Sequence, residues 1–73
     1  MSDPIPQLQL HQIRVVEEKA ELDSKLSRLR EFIYSHKFSQ LSPSECSLLI
    51  RQSAAMTVYS EVLSQRIALW TRK

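Results

Sequence analysis

Residues 42–71 read SPSECSLLIRQSAAMTVYSEVLSQRIALWT, and this stretch decides the fold. Ser42 is a helix N-cap, Pro43 suits the first helical position, and Glu45 closes a capping box. Leu41 stands before the cap as a hydrophobic staple. No proline or glycine interrupts the following residues, so one helix is predicted over about 43–71. Two heptad-spaced apolar rows run along it. One is Leu49, Met56, Leu63 and Trp70; its neighbour is Leu48, Ala55, Val62 and Leu69. Ile50, Tyr59 and Ile67 widen the face. A helix with one neighbour needs one stripe. This helix carries nearly two, so a second surface must be covered by another chain.

Working backwards, residues 35–42 (SHKFSQLS) read as a loop, with Phe38 and Leu41 as plugs. Before them, Gln7 to Tyr34 contains neither proline nor glycine. Val15, Leu22, Leu26, Leu29 and Ile33 follow in steps of seven, four, three and four, with Phe32 beside them. That is a helical seam, and a helix over about 7–34 would be roughly 40 Å long. At the start, Asp3-Pro4 suits an N-cap and first turn, and Pro6 restricts Ile5, which implies a kink. The predicted fold is all-α: a short kinked N-terminal segment and two long antiparallel helices, a helical hairpin within one domain.

Length and composition narrow the function. The chain has 73 residues, no glycine and one cysteine. Without glycine there is no phosphate-cradling loop and no dinucleotide fingerprint. One cysteine excludes an internal disulfide framework and every multi-cysteine zinc site. His11 and His36 alone do not make a tetrahedral metal centre. The apolar runs are short, so neither a membrane span nor a signal-peptide core is expected, and the reading is of a soluble intracellular protein. A core this small supplies few kcal/mol unless it is stapled or oligomeric. Self-association is therefore expected before any motif is considered.

Charge is unevenly placed. Residues 1–24 carry a net −3, residues 25–37 a net +3, and the remainder a net +2. An acidic start and a basic end suit the macrodipole of the first helix. Within the basic segment, Lys25 and Arg28 share a face, with Ser27 beside them. Cations and hydroxyls on a rigid helix suit a phosphate-bearing ligand. A nucleic-acid polymer would need a longer positive track. Glu17, Glu18 and Glu21, with Lys19 and Lys25, read as a solvated face in which Glu21 pairs with Lys25. Cys46 fits as a small apolar residue under the Leu41 staple, and His36 as a solvated loop residue. No nucleophile–base pair emerges, so the chain is read as a non-enzyme without cofactor or metal. His11 and Lys25 lie fourteen positions apart, roughly 21 Å along a helix. A small ligand touching both would have to sit between protomers.

The run HQIRVVEEKAELDSKLSRLREFI, the short loop with Phe38 and Leu41, and then LLIRQSAAMTVYSEVLSQRIAL resemble a family of small bacteriophage proteins, the type 2 anti-CBASS cyclic-oligonucleotide sponges. The resemblance spans about residues 10–70. It implies a homohexamer that binds cyclic dinucleotides such as cyclic GMP-AMP, and in some members cyclic trinucleotides, between protomers. It implies sequestration without cleavage, immune evasion by starving a host defence effector of its activating messenger, and a place in the cytoplasm of the infected bacterium. Residue by residue, Lys25 and Ser27 match a Lys-x-Thr step in which the lysine contacts phosphate. Arg66 in SQRIAL matches an arginine linked to trinucleotide binding. The family's stacking tyrosine near the N-terminus is absent, and Leu10 or His11 takes its place. The rival readings are an oligomeric helical adaptor that binds a partner protein through its apolar face, and a small nucleic-acid-binding protein.

Overall fold

The computed structural model describes residues 8–71, so the Asp3-Pro4 cap and the kink at Ile5 lie outside the described residues. Two helices, α1 (Leu10–Ile33) and α2 (Pro43–Thr71), pack along each other, and no strand occurs among the described residues. At 1.5 Å per residue they extend about 36 and 44 Å.

Helix α1 begins later than position 7 because Gln9 is the N-cap, with extended backbone. Its N–H donates to Gln12 Oε1 at 2.8 Å, one arm of a capping box built from glutamines. The helix ends where the Ser35 N–H and Oγ–H both donate to the Phe32 carbonyl, at 3.0 and 2.6 Å. The connection is more ordered than a plain loop, since His36–Gln40 form one 3-10 turn. Phe38 sets its ring edge-on to Phe32, 6.3 Å between centroids, and so plugs this end of the hairpin. Ser42 caps α2 as its sequence requires: the Glu45 N–H donates to Ser42 Oγ at 3.2 Å, and the hydroxyl donates to the Glu45 carboxylate. Cys46 points its thiol at the Phe38 carbonyl, 3.4 Å away, in a half-buried structural position.

The core is thin. Val15, Leu22, Leu26 and Leu63 are the buried apolar side chains among the described residues, and Leu63 at 1% exposure is the most enclosed. Met56, Ile67 and Trp70 pack against this cluster. The molecule measures 60 × 18 × 17 Å with a radius of gyration of 17.0 Å. A compact globule of this length would have about 11 Å. The chain is therefore a rod two helices thick.

The paired rows of α2 separate cleanly. Leu63 and its row face α1, whereas Leu48, Val62 and Leu69 of the adjacent row remain exposed, Leu69 by 67%. The two rows are rotated by about 100° around the helix, so one opposing helix covers one of them. Leu63, the centre of the apolar face as a whole, belongs to the chain's own core.

Candidate functional site

Two polar clusters tie the helices together, and both border one cleft. In the first, Asp23 of α1 meets Lys19 one turn earlier, with Nζ and Oδ2 2.5 Å apart. Ser60 of α2 donates to Asp23 Oδ1 at 2.5 Å, and Lys19 Nζ donates to Ser60 Oγ at 3.2 Å. The hydrogen bond from Lys19, followed by that from Ser60, holds the Asp23 carboxyl below its ordinary range. In the second cluster, Arg30 Nη2 donates to Thr57 Oγ1 at 2.7 Å, and Thr57 in turn donates to the Ser53 carbonyl one turn back. Ser53, Thr57 and Ser60 recur at i, i+4 and i+7 on α2, so a hydroxyl stripe faces α1 at this level.

Between these clusters lies an open cleft of about 590 Å³. Leu26 forms an apolar part of its wall. Helix α1 contributes Ser27, Arg30 and Glu31 beside Asp23, and Tyr34 closes its C-terminal end. From α2 come Thr57, Ser60 and Glu61. The α1 positions follow the three- and four-residue steps of one helical face. Arg30 is pinned across the cleft by Thr57, while Tyr34 projects to solvent with 88% of its surface exposed.

The Lys19–Asp23–Ser60 arrangement has the residue types of a nucleophilic centre but not its proton flow. Lys19 is paired with Asp23 and acts as a donor toward Ser60. A carboxylate held below its ordinary pKa range is a weak base for a serine hydroxyl. The network works as a clamp that fixes the register of the two helices. Among the described residues, no three His, Cys, Asp or Glu side chains converge as metal ligands.

The residues singled out from sequence fall into separate regions. Ser27 lines the cleft. Lys25 and Arg28 are exposed and do not line it. Two residues along an α-helix turn about 200°, so Lys25 and Ser27 face nearly opposite ways within one chain. Their adjacency in sequence is therefore not adjacency in one pocket of one protomer. Leu10 and His11 open α1 at the far end of the rod, and Leu10 is exposed. There the fold joins His11 to Arg66 through a residue read only as apolar. The Trp70 ring meets His11 edge-on at 6.3 Å, and the Arg66 guanidinium carbon lies 5.9 Å from the same ring's centre. This cation–π geometry places Arg66 at the end of the hairpin that carries the start of α1. Arg30 counts from sequence only as one of the four bases of residues 25–37, and Lys19, which reads as part of a solvated face, is instead half-buried between Asp23 and Ser60; Asp23, Tyr34, Thr57 and Ser60 carry no functional reading in the sequence. The steps from 23 to 27, 30 and 34 on α1, opposite the hydroxyl stripe of α2, are the signal that marks them.

Residues 9–69 match the Sequestin family. The chain belongs to that family. A relative from Enterobacteria phage T4, described as an uncharacterized 7.5 kDa protein in the denB–rIIB intergenic region, is 41% identical over 58 residues. That match covers 80% of this chain and 91% of the relative. No solved structure matches the chain. The resemblance to a family of small phage proteins over about residues 10–70 is thus borne out. No helix among the described residues is long and apolar enough to cross a membrane.

Proposed function

We propose that this protein is a phage anti-defence sponge that binds cyclic di- or trinucleotide second messengers and withholds them, uncleaved, from a CBASS effector of the infected cell. The observation that carries this reading is membership in a family named for sequestration. The chemistry of the chain supports it. A sponge needs cations and hydroxyls held in place, and it needs no reacting group. Arg30 held by Thr57 supplies the first requirement, and the donor role of Lys19 toward Ser60 is compatible with the second.

In this reading the copies assemble through the exposed Leu48–Val62–Leu69 row of α2, into the homohexamer that the resemblance implies. Each pocket then combines Lys25 and Arg28 of one protomer with the Leu10–His11 end of another. The separation of fourteen residues on a continuous α1 supports the two-protomer arrangement, because about 21 Å exceeds the reach of one small ligand. Arg66, set against Trp70, is the contact for a trinucleotide.

Calorimetric titration of the purified protein with a panel of cyclic di- and trinucleotides, including cyclic GMP-AMP, tests the proposal. Saturable binding at micromolar or tighter affinity is expected, and ligand released by heat should be chemically intact. Linear dinucleotide recovered in excess over protein would refute sequestration. Silence across the panel would leave the exposed row of α2 as the surface of an adaptor for a partner protein.

A further inference from the structure

The cleft between the C-terminal half of α1 and the middle of α2 is separate from the Lys25–Arg28 face, and its lining brings together a cation, hydroxyls and an exposed aromatic ring. We infer that it is a further ligand subsite, distinct from the Lys25–Arg28 pocket and from the Arg66–Trp70 contact, in which Arg30 takes a phosphate and Tyr34 stacks on a base. The inference rests on the sponge reading above.

Four observations carry it. The Arg30 guanidinium is fixed before any ligand arrives, since Nη2 already bonds to Thr57 Oγ1 at 2.7 Å. Arginine has five N–H donors in a planar fork, so most remain for a phosphate after that bond. Tyr34 stands four residues further on, at the mouth of the cleft, with 88% of its surface exposed. An aromatic residue so exposed gains little for the fold, and its ring face is open to a base. A phosphate and a base of one nucleotide are spaced well enough to engage neighbours one helical turn, about 5.4 Å, apart. Glu31 and Glu61 also line the cleft, and among the described residues neither carboxylate has a hydrogen bond or ion pair. They oppose a bare anion. They suit a ligand that brings N–H donors along with its phosphate, as the amino groups of adenine and guanine do. The volume of about 590 Å³ is in the range of small-molecule sites.

The test titrates wild type, Tyr34→Ala, Tyr34→Phe and Arg30→Gln with the panel of cyclic di- and trinucleotides and with inorganic phosphate, after native mass spectrometry of each. Tyr34 and Arg30 are exposed, and glutamine at position 30 keeps an N–H donor for Thr57 Oγ1 while removing the charge, so all variants should keep the wild-type helicity and oligomer mass. Tyr34→Ala should weaken nucleotide binding at one class of sites by about tenfold or more. Tyr34→Phe, which keeps the ring, should restore it. Arg30→Gln should weaken the same class by a similar factor, and inorganic phosphate should not compete. Undiminished affinity in both Tyr34→Ala and Arg30→Gln, with the wild type binding, removes this subsite and leaves the sponge reading standing. Silence of the wild type removes both. A changed oligomer mass in the variants makes the cleft a contact between copies and overturns the inference, as would phosphate binding alone through Arg30.

Discussion

Replacing Leu63 with alanine strikes the centre of the hairpin. Its side chain is 1% exposed, touches the cluster of Val15 and Leu22 from across the interface, and lies among Met56, Ile67 and Trp70 of its own helix. A buried leucine truncated to alanine costs about 2–5 kcal/mol, more where the surroundings cannot collapse into the cavity. Here the walls are two long helices held in register by Ser60 on Asp23 and Thr57 on Arg30, so the upper half of that range is expected. Small domains lose about 4–8 °C per kcal/mol, which places the fall in melting temperature at roughly 14 °C or more. Circular dichroism melts at several protein concentrations provide the assay, with mass measured at each to follow assembly. The loss should persist when the oligomeric state is matched, because the contact is within the chain. A melting temperature unchanged from wild type would refute the assignment of Leu63 to the intramolecular core.

Leu69→Glu and Val62→Glu place acids on the exposed row of α2. They should lower the mass seen in sedimentation while leaving far-UV ellipticity at high protein concentration close to wild type; an unchanged oligomer would move the interface elsewhere. Asp23, held below its unfolded value of 3.8 by Lys19 and Ser60, stabilises the fold above that pH, and this contribution is lost as pH falls through the lower folded value. Melting temperature should therefore drop on acidification below about pH 4, and Asp23→Asn should flatten that limb; a parallel acid limb in the variant would remove the clamp from the pH dependence. Lys25→Ala should weaken cyclic dinucleotide binding by roughly ten- to a hundredfold, the worth of a charge-assisted hydrogen bond of about 1.5–3 kcal/mol, with oligomer mass unchanged. Equal affinities by calorimetry would leave Lys25 as an exposed surface residue outside the site.

The helices were legible because their signals are local. Ser42, Pro43 and Glu45 start α2 by chemistry confined to one turn, and the Glu45 N–H to Ser42 Oγ bond realises it. The apolar seam of α1 lands on Val15, Leu22 and Leu26, all buried. The start of α1 was less legible, since a cap made by Gln9 and Gln12 has weaker sequence character than a serine or aspartate cap. The candidate site was harder for a different reason. The ties that cross the hairpin join residues far apart in sequence: Arg30 to Thr57, Asp23 to Ser60, His11 to Trp70. Which residue of α2 lies opposite a given residue of α1 depends on the length and geometry of the turn between them. Residues 35–42 read as a loop, but five of them form a 3-10 helix, His36–Gln40, and the polar ties then hold the register which that connection allows.

The two rows of α2 link this register to function. The clamp residues Thr57 and Ser60 occupy the α1-facing side beside Met56 and Leu63, which leaves Val62 and Leu69 outward. Had the helices been rotated by one position, the rows would exchange, Leu63 would be exposed, and the hydroxyl stripe would no longer reach Asp23 and Arg30. The polar ties therefore select which apolar row is left exposed, although each surface bond among them adds little stability by itself. The same rotation opens the cleft, because Arg30 is held to α2 at the level where Leu26 gives way to Ser27 and Tyr34. In the proposed assembly, a hairpin whose polar contacts fix one face inward would present its ligand groups and its exposed apolar row in a fixed angular relation. A pocket shared between protomers depends on that relation, because residues from two chains must meet one small ligand at once.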